Sequence, residues 1–229
     1  LFITFVLTSN QQPATYLKII FAMPRNTVIL ADGNFPVHKI PLGYLKSAEH
    51  LICCDGSAES LVKAGMEPEA ITGDLDSLTT DLKRRFSDRL YEDDDQDTND
   101  LTKAVKWCLE KGYKEIVILG ATGKREDHTI GNISLLAEYS KEINVMMVTD
   151  TGIITPLNES TIIPSFAGQQ VSIFSINPES EITSAGLKYE LRNLKLKNWW
   201  RATLNEATGG SFEIRFEEGP VLVYQKFRD

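Results

Sequence analysis

A change of period part-way along the chain constrains the fold most. From Met23 to about Thr149, apolar strand-like runs alternate with segments of helical spacing. The runs are Thr27–Ala31, His50–Cys54, Ala70–Thr72, Arg89–Tyr91, Glu115–Leu119 and Asn144–Thr149; between them lie Ser57–Ala64, Thr79–Phe86, Asp100–Glu110 and Glu126–Tyr139. In Asp100–Glu110, Leu101, Ala104, Val105, Cys108 and Leu109 fall at i, i+3, i+4, i+7 and i+8, the stripe of an amphipathic helix. Such alternation predicts an α/β fold with a mostly parallel sheet covered by helices on both faces. Ligands of such sheets bind beyond the carboxyl ends of the strands, so the loops that follow strands are where chemistry is expected.

After about Thr151 the helical spacing stops. Ser160–Pro164, Gln170–Ile176, Ile182–Thr183, Leu187–Leu191, Ser211–Phe216 and Val221–Lys226 are short, rich in β-branched or aromatic residues and separated by Gly, Pro, Asn and Ser. They predict a C-terminal antiparallel β domain. The expected organisation is an α/β domain over 23–150 and a β domain over 157–229. Residues 1–22 read differently. Leu1–Leu7 is apolar but too short to span a membrane and has no preceding basic residue, and the first methionine is Met23. These residues are expected to be a non-native or weakly ordered extension upstream of the natural start.

The formal charge of −8 argues against a general nucleic-acid binder, whose affinity comes from a basic surface. Three cysteines, two of them adjacent at Cys53 and Cys54, do not suit a disulfide scaffold and point to a reducing cytoplasm. The negative charge is concentrated: ten acids and four bases lie between Asp74 and Asp100.

Three strand-end segments could carry chemistry. Gly73–Ser77 follows a strand, and in an extended segment Asp74 and Asp76 would point the same way, as two hard ligands for Mg²⁺. The same residues also suit a solvated turn that caps the next helix. Glu92–Asp100 holds six further acids before the amphipathic helix, where Asp97 as N-cap and Asp100 at N3 would account for two. The remaining run of four needs solvation or a cation. Lys103 could pair with Asp100 or reach a phosphate. Gly120–His128 is a glycine-rich strand-to-helix turn whose free N–H groups suit an anion, with Lys124 and Arg125 adding positive charge. It matches neither the Walker A nor the dinucleotide pattern. Taken singly, Asp127 reads as a dipole-favoured surface acid and His128 as a structural residue. Together, carboxylates, amides and basic side chains on one sheet edge suit metal-assisted phosphoryl-type transfer better than acyl chemistry, since no covalent nucleophile stands out.

These segments, with Asp55-Gly56 after a strand, Gln96–Lys103, Ile182–Tyr189 and Thr203–Glu206, occur in an order that resembles the thiamine pyrophosphokinase (thiamin diphosphokinase) family. The resemblance covers nearly everything after Met23. It implies an N-terminal α/β domain, a C-terminal β-sandwich and a homodimer with active sites between subunits; from charge and apolar run lengths, no nucleic-acid or membrane partner is expected. The implied reaction joins thiamine and ATP to give thiamine diphosphate and AMP, with Mg²⁺. By the same resemblance, Asp74, Asp76 and Asp100 hold the metal and the ATP phosphates, and Lys103 and Arg125 neutralise phosphate charge. Asp127 supports the nucleotide site, with Asp55, Gly56, Thr122, Gly123 and His128 also binding there. Gln96 lies near the transferred group, and Thr203 and Asn205 help form the thiamine pocket. Two other readings compete. One is an Asp-x-Asp phosphohydrolase with Asp74 as nucleophile; the other is a non-catalytic nucleotide-binding module.

Overall fold

The computed structural model describes residues 27–95 and 97–228. The expected extension over 1–22 and the candidate Gln96 lie outside them. The described residues fall into two compact units, one running to Thr155 and the other starting at Pro156.

In the first unit, β1 (Thr27–Leu30), β2 (His50–Cys54), β3 (Ala70–Gly73), β4 (Leu90–Glu92), β5 (Glu115–Leu119) and β6 (Asn144–Val148) are parallel, in the order β6-β5-β1-β2-β3-β4. β7 (Gly152–Leu157) pairs antiparallel with β6. The strands are continuous apolar runs because both faces are covered: Val28, Ile29, Leu30, Ile116, Val117, Ile118 and Leu119 are all fully buried. The helices are α1 (Lys39–Ser47), α2 (Ser57–Lys63), α3 (Thr80–Arg85), α4 (Asp100–Glu110) and α5 (Glu126–Tyr139). The chain winds outward from β1 to β4 and then crosses to β5 on the other side of β1. That makes β1/β5 the switch point of the sheet.

One expectation changes here, and one helix is added. Helix α4 is capped by Asn99, whose side chain accepts from Thr102 N, so Asp100 is the first helical residue and Asp97 is not the cap. Helix α1 is not picked out by sequence pattern, because Pro41 and Gly43 interrupt it. It forms because His38 caps it and Ile40, Tyr44 and Leu45 are buried.

In the second unit all pairings are antiparallel. β9 (Gln170–Ser175) lies between β12 (Ala202–Glu206) and β14 (Val221–Lys226), and a second sheet runs β11 (Leu194–Lys195), β10 (Glu181–Ala185), β13 (Ser211–Arg215), β8 (Thr161–Pro164). Residues of both sheets share one core that includes Val171, Ile173, Ile182, Phe212, Ile214 and Val223, as a sandwich requires. The expected strand Leu187–Leu191 forms only a bridge between Leu187 and Ala207. The backbone of Tyr189 bonds instead to the Asn205 side chain, which takes the place of a partner strand. β12 escapes the pattern because its register shifts between Ala202 and Asn205 and Leu204 adopts a left-handed φ of 58°.

Candidate active site

The register between β2 and β3 aligns Cys54 with Thr72, so Asp55 leaves its strand beside Gly73 and its N–H bonds to Thr72 O at 2.9 Å. Asp55 has a φ of 35°, uncommon for a residue with a side chain, and is 4% exposed. One carboxylate oxygen, Oδ2, accepts from Ser77 N at 3.2 Å, while Oδ1 is buried with no hydrogen-bond partner. Burial pushes this carboxyl above the usual carboxylate range against the Ser77 hydrogen bonds, and the charges of Asp100 and Asp74 push the same way.

Asp74 and Asp76 do not extend the strand as expected. β3 ends at Gly73, Leu75 turns left-handed with a φ of 60° and is buried, and Asp74 Oδ1 accepts from Asp76 N at 3.2 Å. The carboxylates of Asp55, Asp74 and Asp76 nevertheless converge, each offering an oxygen within 4.8 Å of the others. Among the described residues this trio contains Asp55 where the sequence reading has Asp100. Asp100 stands next to it: a Cβ at Gly73 would lie 3.0 Å from Asp100 Oδ1 and 3.1 Å from Asp55 Cβ, so only glycine lets the three segments approach. Burial also raises the Asp100 carboxyl, opposed by Lys103. Lys103 is itself buried, with Nζ donating to Asp93 O at 2.7 Å and lying 3.7 Å from Asp100 Oδ1. The acidic run folds on itself: Asp93 and Asp95 side chains accept from the N–H groups of Asp95 and Asp97.

Across the switch point, the loops after β1 and β5 brace one another. Gly33 N bonds to Gly120 O at 2.6 Å and Asn34 N to Thr122 O at 2.8 Å. A Cβ at Gly33 would meet those two carbonyl oxygens at 2.3 and 2.4 Å, so the contact requires glycine. In the β5 loop Gly123 and Lys124 are left-handed, and Gly123 N donates to Thr129 Oγ1 of α5. Arg125 pairs with Asp127, and that guanidinium, with the His128 N–H, holds the Asp127 carboxyl down to about 2. Lys124 pairs with Asp32.

One cleft of about 420 Å³ in this unit gathers Asp55, Gly56, Asp74 and Asp100 with Lys103, and Gly123, Arg125 and His128 from the β5 loop and α5. Asp76, Thr122 and Asp127 sit beside residues of its wall. Asp32, Asn99 and Asn132 line it too, although sequence reasoning did not select them as site residues. Asp32 carried a usable signal: Asp32-Gly33-Asn34 is a turn sequence directly after a strand. In the second unit, Thr203 Oγ1 donates to Trp200 O at 2.8 Å. Asn205 is buried, with Oδ1 accepting from Tyr189 N and Glu206 N and Nδ2 donating to Tyr189 O.

Residues 42–147 match the family profile of the thiamin pyrophosphokinase catalytic domain, and residues 152–224 that of the thiamin pyrophosphokinase substrate-binding domain. The thiamine pyrophosphokinase of Bacillus subtilis is 32% identical over 176 residues, covering 72% of this chain and 81% of that protein. The chain belongs to the thiamin pyrophosphokinase family. Thiamin pyrophosphokinase 1 of Caenorhabditis elegans is 29% identical over 165 residues, 66% of this chain and 68% of that protein. The crystal structure of the thiamine pyrophosphokinase from Bacillus subtilis superposes with a TM-score of 0.71 at 26% identity, covering 89% of this chain and 100% of that one. The thiamin pyrophosphokinase family protein from Enterococcus faecalis, at 20% identity and a TM-score of 0.74, shares the fold. The phosphohydrolase and binding-module readings find no support in these similarities.

Proposed function

We infer that this chain is a thiamine diphosphokinase, transferring the pyrophosphoryl group of ATP to the hydroxyl of thiamine to give thiamine diphosphate and AMP. The observation that carries the reading is the buried, unpartnered Oδ1 of Asp55 within a trio of carboxylates, in a cleft that also holds the glycine-rich loop after β5. An orphaned anionic oxygen among hard oxygen donors fits a divalent cation, and Mg²⁺ in particular, which takes few protein carboxylates and completes its shell with water and phosphate. Asp55, Asp74 and Asp76 would hold it, with Asp100 adjacent. When bound, Mg²⁺ supplies charge neutralisation and Lewis acidity at the polyphosphate.

The chain's own residues do the rest. The glycine-rich loop after β5 and the positive end of α5 receive phosphate oxygens. Lys124 and Arg125 exchange their carboxylate partners for phosphate, spreading the charge that develops in line as the thiamine hydroxyl attacks the β-phosphorus and AMP leaves. Lys103 holds Asp100 in place and opposes the burial that raises its carboxyl, and Asp127 holds Arg125 until the phosphate arrives. Gly56 admits the nucleotide close to the backbone, while Thr122 and His128 complete that side; Gln96 is assigned near the transferred group by the family resemblance alone. Thr203 and Asn205 belong to the thiamine pocket, Asn205 by fixing the Tyr189 backbone.

A homodimer with active sites between subunits belongs to the same reading; the exposed Trp200 and Leu204, at 73% and 76%, are apolar surface available to a second copy. Cytoplasmic residence is supported by the free thiols of Cys53, Cys54 and Cys108. The charge of −8 disfavours nucleic acid, and among the described residues no helix is long and apolar enough to cross a membrane. The test is incubation with Mg-ATP and thiamine followed by separation of the nucleotides. AMP with thiamine diphosphate supports the reading, whereas ADP with thiamine monophosphate, or phosphate release without thiamine, overturns it.

A further inference from the structure

Two asparagines on the cleft wall form a hydrogen-bonded line between its two chemical halves. Asn99, the cap of α4, accepts from Thr102 N and from Thr102 Oγ1, both at 2.9 Å, through Oδ1. Its Nδ2 donates to Asn132 Oδ1 of α5 at 3.2 Å, and Asn132 Nδ2 donates to Ala121 O at 2.9 Å. The ends of this line have fixed polarity, because a backbone N–H can only donate and a carbonyl can only accept. Neither amide can therefore flip without losing a bond at both of its ends. The line joins the residue before Asp100 to the residue before Thr122 in the β5 loop. The fold does not depend on it alone, since Thr102 Oγ1 and Tyr139 OH, 2.6 Å apart, independently tie α4 to α5.

We propose that Asn99 and Asn132 are positioning residues that set the spacing between the Asp100 carboxylate and the phosphate-binding loop, and thereby the affinity for the metal–polyphosphate part of the nucleotide. This rests on the functional reading above. A polyphosphate held by amides at one end and carboxylate-bound metal at the other is sensitive to the distance between them. Thiamine, bound elsewhere, is not.

The test is calorimetric titration of Asn99→Ser, Asn132→Leu and the double variant with Mg-ATP and, separately, with thiamine. Serine keeps the cap of α4 but cannot reach Asn132. Each single variant is expected to bind Mg-ATP about tenfold more weakly, from the loss of one or two hydrogen bonds that hold the wall in place. Thiamine affinity stays within about twofold, and the double variant is no weaker than Asn132→Leu because the links are in series. If Asn132→Leu does not fold, Asn99→Ser alone decides. Mg-ATP affinity within about twofold of wild type in folded Asn99→Ser overturns the proposal, as does an equal loss for thiamine, which a merely loosened structure would give. Mg-ATP binding by the wild type without AMP formation from thiamine overturns the functional reading, while the titrations still decide the positioning role. Absence of Mg-ATP binding by the wild type overturns both.

Discussion

Lys124 Nζ lies 2.8 Å from Asp32 Oδ1, so the ammonium of the loop after β5 is held by a carboxylate from the loop after β1. Arg125 is bound to Asp127, and Lys103 to the Asp93 carbonyl and Asp100. These three cations are thus engaged before any phosphate arrives. Binding a polyphosphate at Lys124 or Arg125 is an exchange of anionic partners rather than the filling of an empty positive site.

Removing the competitor shifts that exchange. Asp32→Asn is expected to lower KM for Mg-ATP by roughly threefold, the scale of one exposed ion pair, with little change in thermal midpoint. An unchanged or raised KM in steady-state assays would show that Lys124 does not reach the nucleotide.

Asp55 should trade stability against activity. Its buried, orphaned oxygen costs the metal-free protein free energy, so Asp55→Asn is expected to raise the metal-free stability by about 1 kcal/mol. The variant should lose Mg-dependent turnover by at least about 100-fold, a scale usual for removal of an electrostatic group from an active site. Added Mg²⁺ should raise the thermal midpoint of the wild type and leave that of the variant in place. A variant that still responds to Mg²⁺ would remove Asp55 from the metal site.

Lys103→Met tests the bracket behind Asp100. The substitution leaves the Asp93 carbonyl without its donor and Asp100 without its countercharge, a loss of about 2–3 kcal/mol. Denaturant unfolding should show it, and turnover should fall as well. A fully stable Lys103→Met protein would mean that the lysine serves only the substrate.

Tyr113 gives a pH signature far from the cleft. Its hydroxyl donates to Glu69 Oε1 at 2.9 Å, and burial together with that carboxylate pushes the phenol up to about 12 from an ordinary 10. Between these values the unfolded chain has released its proton and the folded one has not. The contribution is therefore complete below pH 10 and is lost as pH rises through about 12. Urea midpoints across this window should fall less steeply in Tyr113→Phe than in the wild type; parallel slopes would rule out the assignment.

Local pattern was enough for the elements that carry the site. His50–Cys54, Glu115–Leu119, Asp100–Glu110 and Glu126–Tyr139 form with the expected bounds: the two strands are buried along almost their whole length, the first helix buries its stripe of Leu101, Ala104, Val105 and Cys108, and the second buries only Leu136, Ala137 and Tyr139. The strand-end segments around Asp74, Asp100 and Gly123 were legible because they begin where an apolar run stops. Asp32, Asn99 and Asn132 were not, since the partners that give them a role lie 92, 33 and 11 positions away in sequence: Lys124 for Asp32, Asn132 for Asn99, and Ala121 for Asn132.

The sequence by itself determined the parallel sheet, the later β unit and the edge at which chemistry gathers, because hydrophobic period reports which faces are buried. Only the tertiary structure decided which groups meet. The β2–β3 register brings Asp55 beside Gly73, the left-handed turns at Asp55 and Leu75 fold its carboxylate in with those of Asp74 and Asp76, and the cations close onto Asp32, Asp127 and Asp93. Register and left-handed backbone are imposed by packing between segments distant in sequence, and no local period encodes them.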